Sequence, residues 1–396
     1  MQPHVGAVSQ SARIGRIARE LPRVTASRLT DAISALRVQG KEVLSLSGTP
    51  YWGPPDHVLE AAAEAARSEG NAPSKGFHEL RRSLAAKLEA EGIPTDPETG
   101  ILITNGAMHA LSLVFSTLLD AGDEVLLYKP SFFFFGIIRL AGGVPVYAET
   151  TQQAGWRWDA AALARCITPR TRAIVINSPT NPTGYTANDQ DLNAVGEIAR
   201  RHNLWIVSDE SYDNMVFDGL PFLRMAALRK FADRTITICS FTKTFVMQPW
   251  RMGFVTGPPE VMEAVQRVME WNVLRCCHVA QRAAQAAVEG PREWMLEIAR
   301  RFQHSRDLMV RGLAGASNLS FTVPSGGPFL FVNVSRTGLT GEEFSSRLLN
   351  RYFVAADPGE FFESADHIRL PFGGPDDLVI EVARRLIAAS GDQSAD

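Results

Sequence analysis

Between residues 101 and 256 two hydrophobic patterns alternate. Short, nearly unbroken runs of β-branched and aliphatic residues occur at ILIT (101–104), EVLLY (124–128), VPVYA (144–148), AIVIN (173–177), LWIVS (204–208), TITIC (235–239) and MGFVT (252–256). Their length and their Gly, Pro and Asn borders predict strands. Between them, apolar residues recur every three or four positions, as in HALSLVFSTLL (109–119), ANDQDLNAVGEIARRHN (187–203) and PEVMEAVQRVMEWNVLRC (259–276), which predicts helices. Strands that are apolar on both faces, separated by helices, predict a mostly parallel sheet covered on both sides, an α/β fold.

Past about residue 290 the pattern changes. A long helical stretch (291–313) leads into FTVP and FLFVNV, a helix over 341–351, the strand-like HIRLPF (367–372) and a last helix over 376–389. This predicts a smaller α+β domain. The expected division is an N-terminal arm sharing in the small domain (1–45), a large domain (46–290), the small domain (291–390) and a disordered polar tail, GDQSAD (391–396).

Composition narrows the function classes. A chain of 396 residues, 45% hydrophobic and 21% charged, is of ordinary globular type and long enough for more than one core. Its net charge of −3 argues against nucleic acid or an anionic membrane as the main partner, although Arg13, Arg16, Arg19 and Arg23 cluster near the start. No apolar run is long enough to span a bilayer. The four cysteines (166, 239, 276, 277) and eight histidines show no metal-ligand spacing, so no metal is expected, and the cysteines read as core thiols of a reducing, cytoplasmic setting.

In an open parallel sheet, ligands bind beyond the carboxyl ends of the strands. The residues just past each strand therefore carry the candidate chemistry. After ILIT comes NGAMHA, where a glycine turn opens a helix and the N–H groups of Gly106, Ala107 and Met108 form a cradle for a phosphate. After EVLLY comes KPSFFFF (129–135), four aromatics that cannot all face one core. SPTNPTG (178–184) comes after AIVIN and presents Asn181 on a proline-stiffened turn. DESYD (209–213) comes after LWIVS, setting Asp209 at the mouth of a buried strand, where it needs a donor or a cation, with Tyr212 three residues on. SFTKTFVMQPWRMG (240–253) comes after TITIC and brings Ser240, Arg251 and Lys243, one of only six lysines in the chain. Taken singly, each has an ordinary structural reading, such as a glycine turn, an N-cap or a lysine stem on apolar surface. Together they fall at one edge of one sheet.

These residues resemble the fold-type I pyridoxal-phosphate enzymes and, within them, the class I/II aminotransferases. The resemblance runs from about residue 45 to 372 through LSGTPYWGPP, GFHELR, NGAMHAL, SPTNPTG, SDESY, SFTKTFVMQPWRMG, PSGGPF and HIRLPF, in family order and spacing. It implies a large domain with a mostly parallel seven-stranded sheet covered by helices on both faces, plus a smaller α+β domain. It implies pyridoxal 5'-phosphate in Schiff-base (aldimine) linkage to Lys243, which then shuttles a proton. Asp209 would pair with the pyridine nitrogen, Asn181 and Tyr212 with the phenolic oxygen, and Phe132 would stack on the ring. The phosphate would be held by Gly106, Ala107, Met108, Ser240 and Arg251. Gly48, Trp52, Asn181 and Arg369 would bind the substrate, Arg369 gripping its carboxylate as a bidentate fork. A homodimer with the active site at the subunit interface is also implied, the N-terminal arm reaching toward the partner.

Four positions depart from the family pattern: Pro249 precedes WR in place of glycine, Thr242 replaces serine, Phe135 stands where tyrosine is frequent, and NAPSKG (71–76) has no tyrosine near Asn71. The expected reaction is transfer of an amino group from an L-amino acid to a 2-oxo acid by a ping-pong mechanism. A lyase, cyclase or oxidase on the same fold and cofactor is the alternative. A regulator carrying an aminotransferase-like domain ranks last, since the 45 preceding residues are too few for a DNA-binding domain and its linker. Tyr51, Trp52 and the Phe133–Phe135 run point to an apolar or aromatic substrate side chain.

Overall fold

The computed structural model describes residues 13–46, 53–68 and 70–392. Seven strands form the main sheet: β1 (Ile101–Thr104), β2 (Glu124–Lys129), β3 (Val144–Glu149), β4 (Thr171–Asn177), β5 (Trp205–Asp209), β6 (Thr235–Ser240) and β7 (Gly253–Thr256). All seven match the expected runs to within two residues. Their order is β1-β7-β6-β5-β4-β2-β3. Pairing is parallel from β3 through to β6, while β7 runs antiparallel to both β6 and β1.

Each face of the sheet carries its own core, as continuous apolar strands require. Val125, Leu127, Val175 and Val207 pack into one cluster, and their neighbours Leu126, Ile174, Ile176 and Ile206 into another. The helix expected at 109–119 begins earlier, as Ala107–Leu118, because Gly106 at φ 85 turns the chain directly into it. The helix expected to reach 276 stops at Asn272, where the chain turns through a left-handed Leu274 (φ 63).

The second sheet has four strands, β8 (Ser320–Phe321), β9 (Phe329–Asn333), β10 (Asp357–Pro358) and β11 (His367–Pro371), in the order β10-β11-β9-β8, all antiparallel. With two residues, β10 is too short to carry a periodic signal, and the sequence gives no sign of it. The long helix Glu293–Leu313 and the final helix Asp376–Gly391 cover this sheet through Phe302, Met309, Val379 and Leu386. That last helix takes in Gly391, the first residue of the expected disordered tail, and the Asp392 carbonyl accepts from Arg347 Nη1 at 2.6 Å. Near the start of the chain, the helix Thr25–Val38 packs Leu29, Ile33 and Leu36 against Leu349 and Ala355. The N-terminal segment thus joins the second sheet's layer.

Candidate active site

The topology explains how one edge gathers the site. The carboxyl ends of the parallel strands lie together, and the antiparallel β7 starts at that same edge. Gly253 pairs with both Thr104 and Ser240, and Asp209 pairs with Asn177 on one side and Ile238 on the other. Arg251, two residues before β7, is therefore delivered to the place where the other strands end. Gly253 is needed at this crossing: a Cβ there would stand 2.8 Å from the Gly106 carbonyl carbon and 3.0 Å from the Ala107 nitrogen. A Cβ on Gly106 would in turn meet Arg251 Nη2 at 2.9 Å.

A cavity of about 390 Å³ opens at this edge, lined among others by Ala107, Met108, Phe132, Asn181, Asp209, Tyr212, Ser240, Lys243, Arg251 and Arg369. All the expected site residues that fall within the described chain line it except Gly106, which shapes its floor beneath Arg251. Gly48, Tyr51 and Trp52 lie outside the described residues. Val24, Ala26, Leu111, Asn177, Ser211, Thr242, Gln248 and Phe329 line it too, and sequence reasoning did not assign them a role there. Val24 and Ala26 come from this chain's own N-terminal segment. No local pattern could have flagged them, because their place depends on how that segment crosses the fold.

The lysine stands on a single helical turn, Phe241–Thr244. Phe241 and Phe245 are four residues apart and so share a face; both are buried in the core, their rings stacked 4.8 Å apart. Burying each contributes roughly 1.5–3 kcal/mol and fixes the turn. Lys243, midway between them, is carried to the opposite face, where its Nζ lies 5.9 Å from the centre of the Tyr212 ring. Enclosure lowers the Lys243 amine to about 7, helped by the positive charges of Arg369 and Arg251. Lys243 lines the cavity.

Asp209 is 5% exposed, and among the described residues its carboxylate accepts from Ser211 alone, from the N–H at 3.0 Å and the hydroxyl at 2.5 Å. Burial pushes its carboxyl up to about 6, against the pull of Ser211. Among the described residues no cation pairs with it. Asn181 ties the rest together: its N–H donates to Asn177 Oδ1 (2.8 Å), its Nδ2 to the Tyr212 hydroxyl (3.3 Å), and its Oδ1 accepts from Arg369 Nη1 (2.9 Å). Asn177 Nδ2 donates to the Asp209 carbonyl at 3.0 Å, so the string runs back to β5. Burial raises the Tyr212 phenol well above its ordinary range, despite Arg369.

The four phenylalanines of 132–135 separate, as a single core could not take them. Phe134 joins the main core, Phe133 packs with Trp156, Phe331 and Phe362, Phe132 borders the cavity, and Phe135 lines a different surface pocket. Pro249 sits inside a 3-10 turn, Gln248–Trp250, which feeds Arg251 into the left-handed region (φ 55, ψ 56). From there Arg251 Nη1 donates to the Gln248 carbonyl at 3.2 Å and to Thr242 Oγ1 at 3.5 Å. The unusual proline thus builds the turn that aims this arginine.

The donor set suits pyridoxal phosphate. Free N–H groups at the start of a twelve-residue helix beside Arg251 and Ser240 suit a phosphate. A buried carboxylate with no cation suits a protonated ring nitrogen, and an amine lowered to about 7 suits an aldehyde. Among the described residues no cluster of His, Cys, Asp or Glu could hold a metal ion.

Residues 42–386 match the family model described as aminotransferase class I and II. The chain is 31% identical over 383 residues to an aspartate aminotransferase of Geobacillus stearothermophilus, covering 94% of this chain and 97% of that protein. It is 33% identical to aromatic-amino-acid aminotransferase 2 of Thermococcus litoralis, covering 88% and 92%. Its fold superposes on the Thermus thermophilus aspartate aminotransferase solved with maleate at a TM-score of 0.91 and 30% identity, covering 96% and 100%. The chain belongs to the class I/II aminotransferases. It is a pyridoxal-phosphate-dependent enzyme that transfers amino groups, on the fold-type I architecture.

Proposed function

We propose that the residues of the 390 Å³ cavity divide the work of transamination among themselves, with an L-amino acid of apolar or aromatic side chain as donor. The observation that carries this reading is the convergence of Lys243, Asp209, Asn181, Tyr212 and Arg369 on one cavity from four separate segments: the ends of β4, β5 and β6, and β11. When bound, pyridoxal phosphate supplies an aldehyde for the amino group and a ring that accepts electrons from the substrate α-carbon.

Lys243 Nζ, neutral for much of its time near pH 7, takes the proton from the substrate α-carbon and would deliver it to the former aldehyde carbon, the second half-reaction running the same transfer backwards. The Asp209 carboxylate holds a proton on the ring nitrogen by charge pairing. The Asn181 amide and Tyr212 hydroxyl, bonded to each other, present their donors to the ring oxygen. The N–H groups of Ala107 and Met108, with Gly106 shaping the turn, hold the phosphate together with Ser240 and Arg251. Phe132 covers the ring. Arg369 binds the substrate carboxylate beside Asn181, joined by Gly48 and Trp52.

The side-chain preference rests on the cavity's walls: Val24, Leu111, Phe132, Phe133 and Phe329 are apolar, and the cations lining it, Lys243, Arg251 and Arg369, already have tasks. The relatives, named for aspartate and for aromatic amino acids at nearly equal identity, leave the substrate open. We further propose a homodimer with the active site at its interface, and a cytoplasmic setting in keeping with four free cysteines. No described helix is long and apolar enough to cross a membrane.

A panel of amino acids incubated with 2-oxoglutarate tests the reading. Glutamate formed in step with the new keto acid, fastest for phenylalanine, tyrosine or leucine, is the expected result. Preference for aspartate would sink the side-chain assignment. Ammonia release or oxygen uptake without glutamate would point to the lyase or oxidase alternative. Light scattering at twice the chain mass checks the dimer.

A further inference from the structure

The arginine proposed to grip the substrate carboxylate already holds a carboxylate of its own. Asp357 on β10 stands directly across from Arg369 on β11, an opposed cross-strand pair whose side chains share a face. Arg369 Nη2 donates to Asp357 Oδ2 at 2.7 Å and Nε donates to the same oxygen at 3.1 Å. Both residues are buried, at 7% and 4% exposure. The guanidinium is caged by the rings of Phe329 (4.3 Å to the centroid), Phe362 (4.7 Å) and Phe133 (6.0 Å).

A guanidinium has five N–H donors. Asp357 takes the Nε hydrogen and one on Nη2, and Asn181 Oδ1 takes one on Nη1. One hydrogen remains on each terminal nitrogen, enough for two bonds to an incoming carboxylate. Asp357 therefore does two opposing things. It locks the fork's orientation, and it cancels most of the positive charge that would attract a second anion within a wall of aromatic rings, where charge is weakly screened.

We propose that Asp357 is a positioning residue for Arg369 that deliberately weakens the site's hold on the substrate carboxylate, exchanging affinity for a fixed binding geometry and faster release. The inference rests on the reading of Arg369 as the carboxylate clamp. An amino-transfer cycle must release a keto acid carrying the same carboxylate before the second substrate enters, so a clamp that held too hard would slow turnover.

The test uses the cofactor-loaded enzyme, with 3-phenylpropionate as an unreactive carboxylate and 3-phenylpropionamide as its neutral counterpart. Binding is monitored by titration and by thermal shift. In Asp357→Asn the shape is kept and the charge removed. The expected result is carboxylate binding tighter by roughly tenfold, a larger carboxylate-induced thermal shift than in wild type, and unchanged amide binding. KM for the amino donor should fall together with kcat, a split that simple loss of structure does not produce.

Equal or weaker carboxylate binding in Asp357→Asn overturns the inference. Asp357→Ser gives the same readout if the asparagine variant is unstable, and failure of both to fold even with saturating carboxylate also overturns it, since the ligand then does not replace Asp357. Arg369→Gln separates the two layers. If it binds the carboxylate as tightly as wild type, the clamp reading itself fails; if it loses binding while Asp357→Asn gains none, only the role of Asp357 fails.

Discussion

The segment Ser208–Asp213 has two sides, and they treat charge in opposite ways. Asp209 and Tyr212 line the 390 Å³ cavity, while Asp213 lines a separate groove of about 950 Å³ with Lys87, Glu91 and Arg224, and Ser208 and Glu210 bond on that side, Glu210 to Arg224. On that far side the buried acids Glu210 and Asp213 share a cation, Arg224, although burial still raises the Glu210 carboxyl. Arg224 donates to Glu210 and Asp213 (2.6 Å) and forms an ion pair with Glu91 (2.7 Å); Ser208 donates to Glu210 (2.9 Å), Thr244 to Asp213 (2.6 Å), and Lys87 pairs with Glu91 (2.7 Å). Burial works against the Asp213 charge, yet Lys87 and Arg224 outweigh it and hold the carboxyl below its ordinary range. On the near side, among the described residues, the Asp209 carboxylate has Ser211 alone and is pushed up to about 6. The cluster around Arg224 is thus an electrostatic clasp, tying the end of β5 to the lysine's turn through Thr244. The smaller cavity keeps an unsatisfied charge in readiness. Adjacent residues of one strand end, Asp209 and Glu210, play these two parts because successive side chains alternate across the sheet.

Four experiments press on this contrast. The largest effect belongs to Lys243→Ala, which should lower kcat by roughly 10⁵-fold or more and remove the visible absorbance of lysine-bound cofactor, with the far-ultraviolet circular dichroism unchanged. Residual turnover within a hundredfold of wild type would remove Lys243 from the chemistry.

Asp209→Asn should lower kcat/KM by roughly a thousandfold while stabilising the cofactor-free protein. Its folded pKa is raised from 3.8 to about 6, so the carboxyl's contribution to stability is fully present below about pH 4 and is lost as pH rises through 6. Above pH 6 the variant should be more stable than wild type by up to about 3 kcal/mol, and at pH 4 the two should coincide. Urea unfolding at the two pH values decides it; equal stability throughout would mean that Asp209 is not strained by burial.

Arg224→Met, on the far side, should do the reverse. Removing one partner from a buried cluster costs about 3–5 kcal/mol, so Tm should drop by several degrees while kcat of the folded enzyme stays within a few-fold. A large loss of kcat with intact Tm would show that the clasp acts on catalysis directly.

The smallest effect concerns the lysine's titration. In the cofactor-free protein, acylation of Lys243 read out by mass spectrometry should rise with pH around a midpoint near 7, because the neutral amine is the reactive form. Arg369→Gln removes one of the charges that depress it, so the midpoint should move upward. A midpoint left in place would assign the depression to burial alone.

How much of this could be read from the chain depended on range. The seven strands of the main sheet were legible because both faces of each are apolar, which leaves short unbroken runs bounded by turns. Asn181, Asp209, Ser240 and Lys243 were legible because each falls within four residues of the end of such a run. Asp357 was not, since a two-residue strand has no period and its meaning comes from Arg369, twelve residues on. Val24 and Ala26 were hidden for the same reason: they reach the cavity only through the packing of the N-terminal helix on the second sheet. The clasp around Arg224 gathers residues from 87 to 244, and nothing local marks Glu210 as belonging to it and Asp209 as not.

By itself, then, the sequence determined the layered α/β architecture and which residues follow each strand, because periodicity and turn residues act over a few positions, while its motifs in order carried the family resemblance. Only the tertiary structure decided which charges are answered. Pairing depends on which side chains meet across strands, and burial on what closes over them. Among the described residues it left Asp209 without a cation, gave Arg369 the partner Asp357, and let the antiparallel β7 bring Arg251 to the edge where the parallel strands end.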